Sequence, residues 1–250
     1  MLTHPTIDKL KQLRLFTMAK TLEQTEGSIL QELSFEERLG LLIDMEITAR
    51  DNQRLQHRLR KAKLKHTACV EDIDYLTPRG LDKSQVAALT HCQWINVHQN
   101  ILIVGPTGTG KTFLACAFAH KACLMGYTAR YYRLPRLLAD VQLSKGDGRY
   151  SALMNELAKV NVLLLDDFGL TPFTEDHRRD LLEILDERHE KHATIVTSQL
   201  PIKHWHETLA NATLADAILD RLVHNAHRIQ MKGESMRKKK SLLTQEVKSS

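Results

Sequence analysis

Gly105-Pro106-Thr107-Gly108-Thr109-Gly110-Lys111-Thr112 places glycines, a lysine and a hydroxyl at the spacing G-x-x-x-x-G-K-[ST]. These are the residue types that hold a polyphosphate. Glycines let the backbone curl until its N–H groups converge on an anion, and a helix starting at the lysine adds the partial positive charge of its N-terminus. Lys111 is then placed to reach the β- and γ-phosphates and the Thr112 hydroxyl to hold Mg²⁺, so ATP and Mg²⁺ are the expected ligands. A second chemical pair, Asp166-Asp167, ends the apolar run Val162-Leu163-Leu164-Leu165. A carboxylate at that strand end lies at the carboxyl edge of a sheet, beside the phosphate loop. Asp166 is expected on the metal side and Asp167 is the candidate to orient or deprotonate an attacking water.

Such a site needs a strand before the loop, a helix after it and a second strand ending beside it. The sequence supplies them: residues 101–104 read as a strand and 113–123 as a helix. Further short β-branched or apolar segments at 128–132, 162–165, 194–197 and 227–231 are separated by stretches of helical periodicity, among them 209–224. Strands alternating with helices predict an α/β fold, a five-stranded parallel sheet flanked by helices.

The first 65 residues differ in texture. Apolar residues from Ile7 to Leu22 recur at three- and four-residue spacing, a helical stripe that Gly27 closes, and Ser34 with Glu37 forms a capping box opening a second helix that runs to about Leu64. A small all-helical N-terminal domain over 1–65 follows, then a linker over 66–85, a nucleotide-binding domain over 86–240 and a tail over 241–250. The linker is suggested by the acids Glu71, Asp72 and Asp74 and the breaker Thr77-Pro78-Arg79-Gly80. Along the second helix Arg50, Arg54, Arg58, Lys61 and Lys65 share one face, flanked by Arg60 and Lys63: seven cations between residues 50 and 65 against the single acid Asp51. That strip is either a solvated face or a surface that tracks backbone phosphates.

Overall the chain of 250 residues carries 35 Lys and Arg against 30 Asp and Glu, a formal charge of +5, so much of the excess sits in that strip. No apolar run approaches the length of a membrane span and no secretory leader opens the sequence, which points to a cytoplasmic protein with no membrane partner. Cys69, Cys92, Cys116 and Cys123 form no C-x-x-C pair and read as reduced thiols. Thirteen histidines, His204, His206, His224 and His227 among them, match no zinc spacing. Low aromatic content, 5%, disfavours base stacking and points to the duplex backbone as the nucleic-acid target.

The separation of Lys111 from Asp166, with a strand and helices between, resembles the AAA+ branch of P-loop NTPases, in which an extra strand separates the two motif strands. That pattern usually ends its second motif in Asp-Glu; this chain has Asp-Asp. Phe35-Glu36-Glu37-Arg38-Leu39, Asp166-Asp167-Phe168-Gly169, Thr197-Ser198-Gln199-Leu200-Pro201, Asp220-Arg221-Leu222 and Gly233-Glu234-Ser235-Met236-Arg237 narrow the match over nearly the whole chain. Together they resemble the IstB family of bacterial insertion-sequence transposition helpers, related to the helicase loader DnaC.

The resemblance implies that Gln199, or failing it Ser198, lies beside the γ-phosphate. It makes Arg221 an arginine finger reaching a neighbouring subunit's nucleotide in a homo-oligomer, and Arg237 a γ-phosphate contact from the C-terminal side, with a minimal or missing lid. It further implies ATP hydrolysis, binding to double-stranded DNA with little sequence preference, and an IstA-like partner transposase. The strip from Arg50 to Lys65, the run Arg237 to Lys240 and the pair Arg178-Arg179 suit backbone phosphates. Two alternatives stand beside this: a DnaC-like loader of a replicative helicase, and an ATP-gated DNA-binding scaffold with little hydrolysis, to which the Asp-Asp pair points.

Overall fold

The structure is a computed structural model that describes residues 5–24 and 33–236. Gly27, Arg237, the lysines at 238–240 and the tail 241–250 lie outside the described residues. Packing divides the chain into two units with the boundary between His57 and Arg58.

The first unit is helical: α1 (Pro5–Gln12), α2 (Phe16–Gln24) and most of α3 (Phe35–Ala62). What the sequence presents as one stripe is two helices, because Arg14 adopts φ 59 and turns the chain between them. The buried Glu46 of α3 accepts the N–H groups of Thr17 (2.8 Å) and Met18 (3.2 Å), so a carboxylate satisfies the free donors at the start of α2. Ser34 and Glu37 form the reciprocal capping box at the start of α3, Glu37 Oε2 accepting from the Ser34 N–H at 2.9 Å and Ser34 Oγ from the Glu37 N–H at 3.3 Å.

The second unit is built on the parallel sheet β1 (Asn100–Val104), β2 (Ala129–Arg133), β3 (Val162–Phe168), β4 (Ala193–Ser198) and β5 (Ala226–Gln230), in the order β2-β3-β4-β1-β5. β4 therefore separates β1 from β3, as the resemblance to AAA+ proteins implies. α4 (Lys83–Thr90) and α5 (Gln93–Asn96) precede the sheet; α6 (Lys111–Leu124), α7 (Leu134–Asp147), α8 (Tyr150–Lys159), α9 (Glu175–Arg188), α10 (Trp205–Leu209) and α11 (Ala212–Val223) connect its strands. The stretch read as one helical region over 209–224 breaks at Ala210, which takes φ 52.

β1, β3 and β4 are almost wholly buried, which is why they read as continuous apolar runs rather than alternating ones. α6 is buried on nearly every side, and its Ala115, Cys116, Ala117, Ala119, Ala122 and Cys123 let it lie close to the sheet. A core of leucines, valines and isoleucines from α7, α8, α9 and α11 forms one continuous cluster with residues of the sheet, joined by Trp205, whose indole N–H donates to the Leu200 carbonyl at 3.0 Å. All four cysteines are free thiols.

Among the described residues Arg188 is the most deeply buried guanidinium. It donates to the carbonyls of Leu157 (2.5 Å), Val160 (2.8 Å) and Ala193 (2.5 Å) and to the Thr194 hydroxyl (3.2 Å), tying the ends of α8 and α9 to the start of β4. Burial lowers its pKa to about 9. Replacing it with Leu leaves those carbonyls without donors and is expected to destabilise the fold by about 3 kcal/mol or more, read as a fall in the denaturation midpoint at unchanged m-value.

Candidate nucleotide site

The loop Gly105–Gly110 leaves β1 and enters α6 through Gly110 at φ 97, so the helix N-terminus faces the loop's hollow. Three glycines of the loop are crowded by their neighbours, and Gly105 most firmly, since a Cβ there would collide with the backbone carbonyl of Met231. A Cβ on Gly108 would collide with the Ser235 hydroxyl, and one on Gly110 would stand 2.7 Å from the Arg79 guanidinium. The chain crosses close over the loop here, Met236 donating its N–H to the Gly108 carbonyl at 2.8 Å. A cleft of about 530 Å³ opens beside the loop, and Lys111, Thr112, Arg133, Asp167 and Gln199 line it. Lys111 is nearly buried and donates to the Pro106 carbonyl at 2.8 Å.

β3 ends in a bulge. Leu165 pairs with Val196 and Phe168 with Ser198, so Asp166 and Asp167 together oppose the single residue Thr197. Asp167 takes φ 66. A regular strand would send neighbouring side chains to opposite faces; the extra residue re-aims the second acid. Thr197 holds the bulge, its hydroxyl donating to Asp166 Oδ1 at 2.5 Å and accepting the Asp167 N–H at 3.2 Å.

Asp166 is fully buried and fully bonded. Besides Thr197, Thr112 Oγ1 donates to Oδ1 at 2.8 Å and Tyr131 Oη to Oδ2 at 2.9 Å, while the Lys65 ammonium lies 3.4 Å from Oδ2. Burial is the largest single influence on its pKa and pushes it up. The hydrogen bonds from Thr197, Thr112 and Tyr131, with the Lys65 charge, outweigh it and hold the carboxyl below the usual range, so Asp166 is ionised at neutral pH. Burial, then the Asp166 charge beside it, keeps the Tyr131 hydroxyl protonated as the donor. Asp167 is held differently: Arg133 Nε donates to its Oδ2 at 2.9 Å.

The expected site residues therefore divide. Gly105 to Thr112, Asp166, Asp167 and Gln199 come together at one edge of the sheet. Gln199 Oε1 accepts from the Thr107 hydroxyl at 2.7 Å, tying the end of β4 to the loop. Ser198 faces inward instead, donating to the Phe168 carbonyl at 2.8 Å. Arg221 is elsewhere. Its backbone carbonyl accepts from Asn100 Nδ2 at 2.8 Å, at the amino edge of the sheet, and its guanidinium pairs with Asp186.

The basic strip also divides. Arg54 is exposed and paired with Asp51 at 3.2 Å. Arg50 is a brace within the first unit, bonded to Glu46 (2.8 Å) and the Arg14 carbonyl (2.9 Å). Arg58 donates to the Cys123 carbonyl at 2.9 Å. Lys61 is exposed. Lys65 corrects the helical extrapolation: α3 ends at Ala62, Lys63 takes φ 49, and the turn carries Lys65 off the helical face to Asp166.

Three residues in or beside the cleft escaped the sequence reading. Tyr131 and Arg133 alternate along β2, and the period of two gives them a shared face toward the end of β3; that spacing was the available signal. Arg79 had none beyond its breaker context. It is buried and donates to the Thr109 carbonyl at 3.1 Å and to the Asp74 carbonyl, fastening residues 74–79 beneath the phosphate loop.

A glycine loop after β1, an acid at the end of β3 and a strand between them define a P-loop ATP-binding protein of the AAA+ type. The sequence profile of the family described as IstB-like ATP binding protein matches residues 8–244, and the chain belongs to that family. It is 50% identical over 239 residues to the insertion sequence ATP-binding protein y4pL of Sinorhizobium fredii, covering 95% of this chain and 98% of that protein. It is 31% identical over 214 residues to the insertion sequence IS21 ATP-binding protein of Pseudomonas aeruginosa, covering 86% and 81%. Among solved structures, the DnaC helicase loader shares the fold, with a TM-score of 0.54 at 19% identity over 68% of this chain and 100% of that one. No helix among the described residues is long and apolar enough to cross a membrane.

Proposed function

We propose that this ATP-binding protein hydrolyses ATP, assembles as a homo-oligomer on double-stranded DNA with little sequence preference and directs a partner transposase to its target. The observation that carries the hydrolytic reading is the bulge at the end of β3. It sets one ionised carboxylate on the Thr112 hydroxyl and turns the next toward the cleft.

In this reading Lys111 and the N–H groups of the loop bind the β- and γ-phosphates, and Gln199 contacts the γ-phosphate from the end of β4. Asp167 accepts the proton of the attacking water, and Arg221 of an adjoining subunit neutralises charge on the transferring phosphoryl group. The described residues hold no cluster of three or more His, Cys, Asp or Glu side chains that would cage a metal. Thr112 and Asp166 instead offer the hard oxygen donors that suit Mg²⁺ shared with phosphates and water. Bound there, Mg²⁺ would supply charge neutralisation for the phosphates. Thr112 would hold it directly, and Asp166 would orient Thr112 and the surrounding water.

The association with insertion sequences comes from the relatives' names, and it favours a transposase as partner over a replicative helicase. Arg54 and Lys61, exposed on α3, remain the strip's best phosphate contacts; Arg50 and Arg58 contribute while held by their own bonds. We extend the domain reading likewise: the N-terminal helices serve DNA binding and assembly, the module from about residue 86 serves ATP, and Arg237 approaches the γ-phosphate. The site of action is the bacterial cytoplasm.

One observation favours a second reading, the ATP-gated scaffold: Arg133 already occupies Asp167. Turnover separates the two. The hydrolytic reading expects an ATPase rate that rises with added duplex DNA and falls by about a hundredfold or more in Asp167→Ala, with ATP binding kept. ATP-dependent DNA binding without turnover in the unaltered protein would establish the scaffold instead.

A further inference from the structure

Lys65 is a charged group in the cleft that the proposed catalytic roles leave unused. A carboxylate offers about four lone-pair directions, and on Asp166 all are taken: Thr112 and Thr197 on Oδ1, Tyr131 and Lys65 on Oδ2. Thr197 and Tyr131 are anchored in β4 and β2, and Thr112 in the first turn of α6. Lys65 comes from the segment after α3, and it is the one exposed residue of the four. A water of a bound metal ion can therefore donate to Asp166 most readily where Lys65 now sits, and two cations sharing one carboxylate edge repel each other.

That segment is fastened to the nucleotide-binding module at several points. Arg58 donates to the last-turn carbonyl of Cys123 on α6 at 2.9 Å, and Arg130 Nη1 to the Lys61 carbonyl at 2.5 Å. The N–H groups of Lys65 and His66 face the buried Cys116 sulfur, also on α6. Lys65 thus ends a short tether that runs along the very helix whose N-terminus faces the phosphate loop.

We propose that Lys65 and a divalent cation compete for Asp166, so that Lys65 leaves the carboxylate when Mg²⁺ and nucleotide bind and residues 63–66 loosen from α6. The proposal rests on the cleft being the ATP site. It gives metal loading a physical readout in the stretch of chain that follows α3. It also differs in sign from a simple phosphate-binding lysine, whose removal would weaken nucleotide binding.

The test is a Mg²⁺ titration of N-methylanthraniloyl-ADP binding to the full chain, carried out with Lys65→Met and Lys65→Arg. Lys65→Met is expected to lower the Mg²⁺ concentration at half-saturation by about fivefold, the scale of one partly exposed ion pair, while Lys65→Arg stays near the unaltered protein. Hydrogen exchange at the amides of 65 and 66 is expected to speed up with Mg²⁺ and the ADP analogue together, and not with the analogue in EDTA. An unchanged or raised midpoint in Lys65→Met overturns the proposal, as does exchange at 65 and 66 that ignores Mg²⁺. A Lys111→Ala control that still binds the analogue overturns the ATP-site reading itself, and so separates the two failures.

Discussion

Lys111→Ala is expected to lower ATP affinity and turnover together, by about a hundredfold or more, while leaving the melting temperature within a few degrees. The expectation follows from how Lys111 is held. Its ammonium bonds to the Pro106 carbonyl of its own loop, so it is positioned at the mouth of the cleft by a contact that an alanine removes without emptying a core. Asp166 offers no such separation. Truncating it strands the hydroxyls of Thr112, Thr197 and Tyr131 around a buried gap, so stability and binding fail together. Calorimetric titration with ATP and Mg²⁺, paired with a thermal melt, checks the Lys111 variant; unimpaired ATP binding would remove the lysine from the site.

The phosphate loop was legible because everything it requires is local: a strand, eight residues and a helix, consecutive in the chain. The sheet was legible for a related reason, since buried parallel strands read as short apolar runs whose ends stand out against helical periodicity. That a strand separates β1 from β3 was implied by the resemblance to AAA+ proteins, whereas the full order β2-β3-β4-β1-β5 is set by packing that no strand's own composition announces.

What the residues did not disclose depends on chain direction at single positions. Nothing in Leu165-Asp166-Asp167-Phe168 announces a bulge, yet the bulge decides that Asp166 meets Thr112 and Asp167 meets Arg133. Periodicity carried α3 to about residue 64, and the positive φ of Lys63 is enough to move Lys65 from a supposed DNA face to the nucleotide cleft. Arg50 shows the same limit from another side: a cation counted as surface charge is the partner of Glu46, whose burial only the packing of α2 on α3 explains. Arg79, read within a breaker, is a fastening of the phosphate loop because residues 74–79 return beneath it.

The second large effect concerns Arg221. Its backbone sits at the amino edge of the sheet, where Asn100 opens β1, and the phosphate loop begins after Val104 at the other edge. A five-residue strand spans about 16 Å, farther than an arginine side chain extends, so Arg221 cannot serve the nucleotide of its own subunit. If it serves a nucleotide at all, it serves a neighbour's, and its pairing with Asp186 must give way when subunits associate. Arg221→Ala is then expected to reduce DNA-stimulated turnover by about a thousandfold while ATP binding to the isolated subunit is unchanged. Mixing supplies the sharper check. Lys111→Ala subunits keep Arg221 but bind and turn over ATP poorly, and Arg221→Ala subunits bind ATP but carry no finger. Combined on duplex DNA, a Lys111→Ala subunit lends its Arg221 to the ATP held by an Arg221→Ala neighbour, and turnover should return at those mixed sites to a measurable fraction of the unaltered rate. Recovery has no source other than a residue contributed across a subunit boundary. A mixture as inactive as its components, under conditions where both variants still co-assemble, would confine Arg221 to its bond with Asp186 and leave the transferring phosphate to another cation.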